Sequence, residues 1–220
     1  MKPGLKNPFN LIVTGVGGQG NVLASRILGN MLALGGFQIT IGETFGASQR
    51  GGSVMSHIRI SPGSTWSPQI PKGCADAIVA LEPAEGVRVL SDYGHDKVCF
   101  ISNTRPVYPA GVIAGGAVYP PIEEIRSGVL SLVPDALFID ATEEAIKLGR
   151  PILGNIVMIG ALAATRLLPL DRKKFRVAAD KFAGSDSLDY NLKAFDAGRR
   201  LFQTAMSRRS RPAYPVTRRS

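Results

Sequence analysis

Cysteine and histidine are nearly absent: among 220 residues the chain has only Cys74, Cys99, His57 and His95 of these types. Two cysteines cannot hold a four-thiolate iron–sulfur cluster, and the set does not match a four-ligand zinc site of the usual spacing. Both cysteines have apolar neighbours and no secretory signal precedes them, so they read as reduced core residues, with a disulfide as the open alternative. Long apolar runs are also missing. The most apolar stretch, 152–170, is broken by Gly154, Asn155, Arg166 and Pro169. The uncharged core over 156–165 is too short to cross a bilayer and reads as a buried helix. The first residues are polar and carry no apolar segment. These absences lead us to expect a cytoplasmic protein without a membrane partner.

Acidic residues are missing from one place in particular. Residues 207–220 contain five arginines and no aspartate or glutamate, so they supply +5 of a formal net charge of +9 and leave the rest mildly basic at +4. This tail reads as a solvated, disordered end; an interaction module for nucleic acid or an acidic protein is its alternative. No basic stripe interleaved with aromatics supports nucleic acid as a partner. The expected organisation is one domain over 1–206 and a tail over 207–220.

What the chain does contain suits a compact α/β domain. Hydrophobic residues make up 45% and charged residues 20%, with mean hydropathy near zero, which excludes whole-chain disorder. The 25 glycines and 15 prolines have no period and point to many tight turns. Residues 10–14 form a β-type run, 15–20 a glycine turn, 21–34 an amphipathic helix and 37–41 a second strand. A strand, glycine loop, helix and strand in that order predict a parallel sheet. Alternation over 54–60 predicts a half-exposed strand, and 66–70 a short edge strand because Pro68 bars a central one. Further strands are expected at 77–81, 98–101 and 136–139, with helices at 84–90 and 141–148 and then only helices, at 156–168, 171–182 and 187–206. The fold class is thus α/β, a Rossmann-like, mainly parallel sheet with antiparallel decoration and a helical C-terminal part.

Two loops carry the polar chemistry. Gly15, Gly17 and Gly20 match G-x-G-x-x-G after a strand and at the start of a helix, the context in which small residues let an anion approach free backbone N–H groups. The cofactor-binding candidates are therefore Gly15, Gly17, Gly18, Gln19, Gly20 and Asn21. Glu43, 23 residues past Gly20, stands where a dinucleotide fold places a ribose-binding acid, so NAD or FAD is one reading and close helix–strand packing the other. The following loop gathers Glu43, Ser48, Gln49, Arg50, Gly51, Gly52 and Ser53, and Arg50 offers a planar fork for carboxylate or phosphate. His57 could face the same cleft or be half-buried in its strand.

The strings GVGGQG (15–20), GETFGASQRGGSV (42–54), SHIRI (56–60), SPQIPKGCADAIVALEP (67–83), GNIVMIGALAATRLLP (154–169) and NLKAFDAG (191–198) occur in this order. In them the chain resembles, over about 10–206, the small subunits of 2-oxoacid:ferredoxin oxidoreductases, the pyruvate/ketoisovalerate oxidoreductase gamma-domain family, and within it the beta-type subunits acting on indolepyruvate. The resemblance does not include the arginine tail. It implies oxidative decarboxylation of a 2-oxoacid, with coenzyme A taking the acyl group and ferredoxin two electrons. Thiamine diphosphate, its Mg and the iron–sulfur clusters would reside in a large alpha subunit. This chain has no GDG followed by a downstream Asn-Asn that would hold a magnesium diphosphate.

By the same resemblance, residues 48–53 would lie at the subunit interface near the approach of coenzyme A, and Gly15 to Gly20 would be a candidate cradle for its phosphates. The Glu43 reading is demoted accordingly. Gln49 and Arg50 become candidates for orienting polar contacts, and no residue is assigned as a proton-transfer catalyst. Two alternatives remain: a stand-alone NAD- or FAD-binding oxidoreductase, and a non-enzymatic interaction module using the tail.

Overall fold

A computed structural model describes residues 5–46, 52–182 and 185–209. In chain order the strands are β1 (Phe9–Val16), β2 (Gln38–Phe45), β3 (Ser53–Ser61), β4 (Ala77–Ala80), β5 (Cys99–Asn103) and β6 (Leu137–Ile139). The helices are α1 (Asn21–Ala33), α2 (Pro83–Tyr93), the single turn α3 (Ala110–Ile113), α4 (Ile122–Leu132), α5 (Ala141–Lys147), α6 (Gly154–Ala164), α7 (Arg172–Asp180) and α8 (Ser185–Arg209). A 3₁₀ turn, Pro151–Leu153, leads into α6.

The strands form one six-stranded sheet in the order β2-β3-β1-β4-β5-β6. β1, β4, β5 and β6 are parallel neighbours, as short apolar runs covered on both faces should be. β3 runs antiparallel to both β1 and β2 and lies between them. The crossover through α1 therefore leaves β1 and β2 pointing the same way without pairing. The antiparallel strand is an internal one, not a decoration at the rim.

This placement corrects two expectations. β3 is buried from Val54 to Ser61 rather than half-exposed. Ile58 and Ile60 join the core cluster that includes α1 residues, while Met55, His57 and Arg59 face the segment 66–70, which forms no strand and covers that face. Ile70 N donates to His57 Nδ1 at 3.3 Å, and Arg59 donates to Ser67 O at 3.1 Å and to Asn10 Oδ1 at 3.2 Å. The Arg59 guanidinium stacks over the Trp66 ring, 5.0 Å from its centroid. The polar half of the alternation thus marks a covered face with every head group paired, a pattern that periodicity reads as solvent exposure.

On one face of the sheet α1, α5, α6, α7 and α8 pack together; α2 and α4 cover the other. Helix α4 was not among the expected elements. The apolar stretch near 156–165 is α6, buried on every side from Asn155 to Ala163. Among the described residues no helix is long and apolar enough to cross a membrane. Cys74 and Cys99 are free, and burial pushes the Cys99 thiol up to about 11. α8 continues past residue 206 to Arg209, while 210–220 of the expected tail lie outside the described residues.

α6 and α8 meet backbone to backbone. A Cβ on Gly198 would stand 1.8 Å from Val157 O, and one on Gly160 2.0 Å from Phe195 O. Phe175 and Phe195 stack at 4.3 Å between centroids beside this contact. We expect Gly198→Ala to destabilise the chain by about 3 kcal/mol, the upper end of ordinary overpacking, because backbone cannot yield as a side chain can. Thermal unfolding should show a drop of roughly 2–4 °C per kcal/mol. Gly128→Ala in α4, where a Cβ meets nothing within 4 Å, should instead leave Tm unchanged or raise it.

Candidate functional site

The C-terminal ends of β1, β4, β5 and β6 lie along one edge of the sheet, where open α/β folds bind ligands. The glycine turn at the end of β1 is built by its own side chains. Val16 N donates to Gln19 Oε1 at 2.9 Å, and Gln19 Nε2 donates to Leu81 O at 3.0 Å at the end of β4. Asn21 Nδ2 donates to Val16 O at 3.2 Å. Gly20 has φ of 79°, and a Cβ there would stand 2.3 Å from Asn155 Nδ2, which donates to Gly20 O at 3.2 Å. Gly20 is needed both for its left-handed backbone and for the approach of α6. Helix α1 then begins with no side chain capping its first N–H groups, so their donors and the positive dipole end remain available to a ligand.

The turn separates two clefts. The larger, about 490 Å³, is lined by Gly18, Gln19, Asn103, Arg105, Thr142 and Asn155 among others. The smaller, about 370 Å³, is lined by Gly17, Gly18, Gly20, Asn21, Phe45, Gly52 and Ser53 among others. Gly17 N donates to Gly52 O at 2.8 Å, so the two glycine-rich loops are tied together. Ser53 Oγ donates to Glu85 Oε2 at 2.6 Å, and Arg88 Nη2 donates to both, at 2.6 Å and 2.8 Å. The buried oxygens Asn21 Oδ1 and Asn155 Oδ1 have no hydrogen-bond partner among the described residues.

A connecting strap, residues 104–121, crosses the same edge between β5 and α4 and is pinned by Glu82. This residue is 1% exposed and caps α2, accepting from Glu85 N at 2.8 Å and from Val107 N at 3.4 Å. The Tyr119 hydroxyl donates to the same carboxylate in a short hydrogen bond. Burial raises the Glu82 carboxyl above its ordinary value, against the opposing effect of these hydrogen bonds. The Tyr119 hydroxyl is raised as well, first by burial and then by the carboxylate beside it.

Of the residues singled out in the sequence, the structure brings together Gly15, Gly17, Gly18, Gln19, Gly20, Asn21, Gly52 and Ser53. Gln19 and Asn21 spend most of their polar groups on the turn itself. Ser48, Gln49, Arg50 and Gly51 lie outside the described residues. His57 lines neither cleft; it is 3% exposed, edge-on to Tyr93 at 5.2 Å, and burial lowers its pKa. Glu43 lines neither cleft: β3 stands between its strand and β1, displacing it by one interstrand spacing, about 4.8 Å, from the place beside β1 that a ribose-binding acid takes. Sequence reasoning missed Asn103, Arg105, Thr142 and Asn155. Only Asn155 left a signal, as the polar interruption at the start of an otherwise apolar helix.

Among the described residues no group of three or more His, Cys, Asp or Glu is arranged to hold a metal ion, and the whole chain has two cysteines where a common cluster takes four. The donor set does not fit an iron–sulfur cluster within this chain.

Residues 10–201 match the pyruvate ferredoxin/flavodoxin oxidoreductase family, and the chain belongs to it. Within that family it is the small, gamma- or beta-type subunit of a 2-oxoacid:ferredoxin oxidoreductase. It is 36% identical over 190 residues to indolepyruvate oxidoreductase subunit IorB of Archaeoglobus fulgidus, covering 86% of this chain and 93% of that protein. The fold matches the keto/oxoacid ferredoxin oxidoreductase gamma subunit from Geobacter sulfurreducens with a TM-score of 0.63 at 20% identity, over 90% of this chain and 99% of that one. It also matches 2-oxoglutarate:ferredoxin oxidoreductase from Magnetococcus marinus, solved with 2-oxoglutarate, coenzyme A and succinyl-CoA bound, with a TM-score of 0.68 at 22% identity. There it covers 90% of this chain and 32% of that one.

The strap supplies a test. With a folded pKa raised above the unfolded one, Glu82 favours the folded state most below the ordinary carboxylate pKa, and that contribution is lost as pH rises through the folded value. Glu82→Gln removes this titration. The Tm difference between variant and parent should therefore shift in favour of glutamine as pH rises from about 4 to about 7. A constant difference over that range would show that the carboxyl is not raised.

Proposed function

We propose that the chain is the small subunit of an enzyme acting on indolepyruvate or a related arylpyruvate. The observation that carries this reading is the 36% identity to the Archaeoglobus fulgidus subunit over nearly its whole length. In the complex the 2-oxoacid loses its carboxyl carbon as CO2, its acyl carbon is joined to the sulfur of coenzyme A, and two electrons pass to ferredoxin. A large subunit holds the thiamine diphosphate with Mg and the iron–sulfur clusters, for which this chain lacks the donors. The setting for such a complex is the cytoplasm.

In this reading the small subunit presents the two clefts beside the glycine turn to coenzyme A. The unfilled N–H groups at the start of α1 suit a phosphate, and the Gly17–Gly52 tie holds the neighbouring loop in register with them. Gln49 and Arg50 keep the orienting role that the family resemblance implies. The dinucleotide alternative is weakened by the position of Glu43, and nothing in the described residues favours the tail as an interaction module.

Reconstitution tests the proposal. Reduction of methyl viologen with indolepyruvate and coenzyme A should require both subunits, with either alone inactive. Among 2-oxoacids, kcat/KM should be highest for the arylpyruvates. Full activity of the large subunit without this chain, or a preference for pyruvate or 2-oxoglutarate, would overturn the assignment.

A further inference from the structure

The larger cleft has one cationic wall. Among the described residues Arg105 is the only lysine or arginine that lines either cleft, and it stands at the start of the strap, anchored on both sides. Thr104 N donates to Ile139 O at 3.1 Å, the Thr104 hydroxyl bonds the Asp140 carboxylate, and Val107 N bonds Glu82. Across the cleft lie Gly18 and Gln19, leading into α1, and Gly154 and Asn155, the first residues of α6. Neither helix has a side-chain cap at its N-terminus. Asn155, 4% exposed, lines the same cleft, and its buried carbonyl oxygen has no hydrogen-bond partner among the described residues.

Arg105 is occupied at present by Glu143, with Nη1 and Oε1 2.7 Å apart and the two side chains 54% and 51% exposed. An ion pair at that exposure is weak and readily exchanged. The other carboxylates on or beside α5 are engaged elsewhere: Asp140 with Thr104, and Glu144 with Lys147. Glu143 is thus a carboxylate of this chain occupying the one guanidinium that, among the described residues, faces this cleft.

We propose that Arg105 reads a phosphate of the acyl acceptor, exchanging the Glu143 carboxylate for a phosphate oxygen pair when coenzyme A enters. A guanidinium presents two parallel N–H donors that match such a pair. The inference rests on the reading that this cleft takes coenzyme A, and names the residue and chemical group by which it would be recognised. It predicts opposite effects for the two partners of one ion pair. Removing Arg105 weakens binding, whereas neutralising Glu143 removes a competitor and strengthens it.

The test uses the two-subunit complex, with coenzyme A and dephospho-coenzyme A as varied substrates. Arg105→Ala should raise KM for coenzyme A about ten- to a hundred-fold, the loss expected for one charge-assisted contact, with kcat within about two-fold. Arg105→Lys should recover part of the loss, and Glu143→Gln should lower KM. A defect shared by both substrates assigns the diphosphate, and one confined to coenzyme A assigns the 3′-phosphate. An unchanged KM in Arg105→Ala, or a KM that rises in both Arg105→Ala and Glu143→Gln, would overturn the proposal and leave the functional reading standing. Coenzyme A-dependent turnover that persists without this chain would overturn the functional reading itself.

Discussion

The carbonyl oxygen of Leu81, at the end of the central strand β4, must be hydrogen-bonded where it is buried. Two side-chain amides meet this demand: Gln19 Nε2 at 3.0 Å and Asn103 Nδ2 at 3.2 Å. Leaving such a group unpaired costs more than the bond itself contributes, so the two amides have little freedom to turn elsewhere. One consequence is the form of the glycine turn, because Gln19 also accepts from Val16 N. Another is the position of α5, because Asn103 Nδ2 donates to Thr142 Oγ1 at 2.9 Å and its oxygen accepts from Thr142 N at 3.3 Å. The edge of the sheet is closed by side chains, and the N-terminus of α1 is left open.

Packing far from that edge sets its other wall. α6 can lie where Asn155 reaches Gly20 because Gly160 and Gly198 let α6 and α8 touch through their backbones. Stacked Phe175 and Phe195 fill the space beside the contact. A bulkier residue at either glycine would push α6 outward, and a displaced α6 would take Asn155 from the glycine turn. The helical C-terminal third of the chain is in this way part of the site, although only Gly154, Asn155 and Met158 of α6 line the larger cleft.

Much of the fold was legible in the sequence. The strands at β4, β5 and β6, the turn at 15–20 and helices α1, α2, α5, α6, α7 and α8 follow from periodicity and glycine punctuation, because those signals arise within a few residues of chain. The ordered motifs also placed the chain in its family. The errors fall where distant segments meet. β3 looks half-exposed because His57 and Arg59 alternate with isoleucines, yet the segment 66–70 covers them. α4 went unread because it follows a proline-rich strap with weak apolar patterning.

By itself the sequence determined the class of fold and the glycine turn, since both depend on residue type at short spacing. Tertiary structure alone decided that β3 separates Glu43 from β1, that His57 belongs to the core, and that Arg105, Asn103 and Asn155 gather around one cleft. The physical reason is that strand order and helix approach are set by burial and backbone hydrogen bonding across the whole domain, and neither leaves a local pattern in the chain.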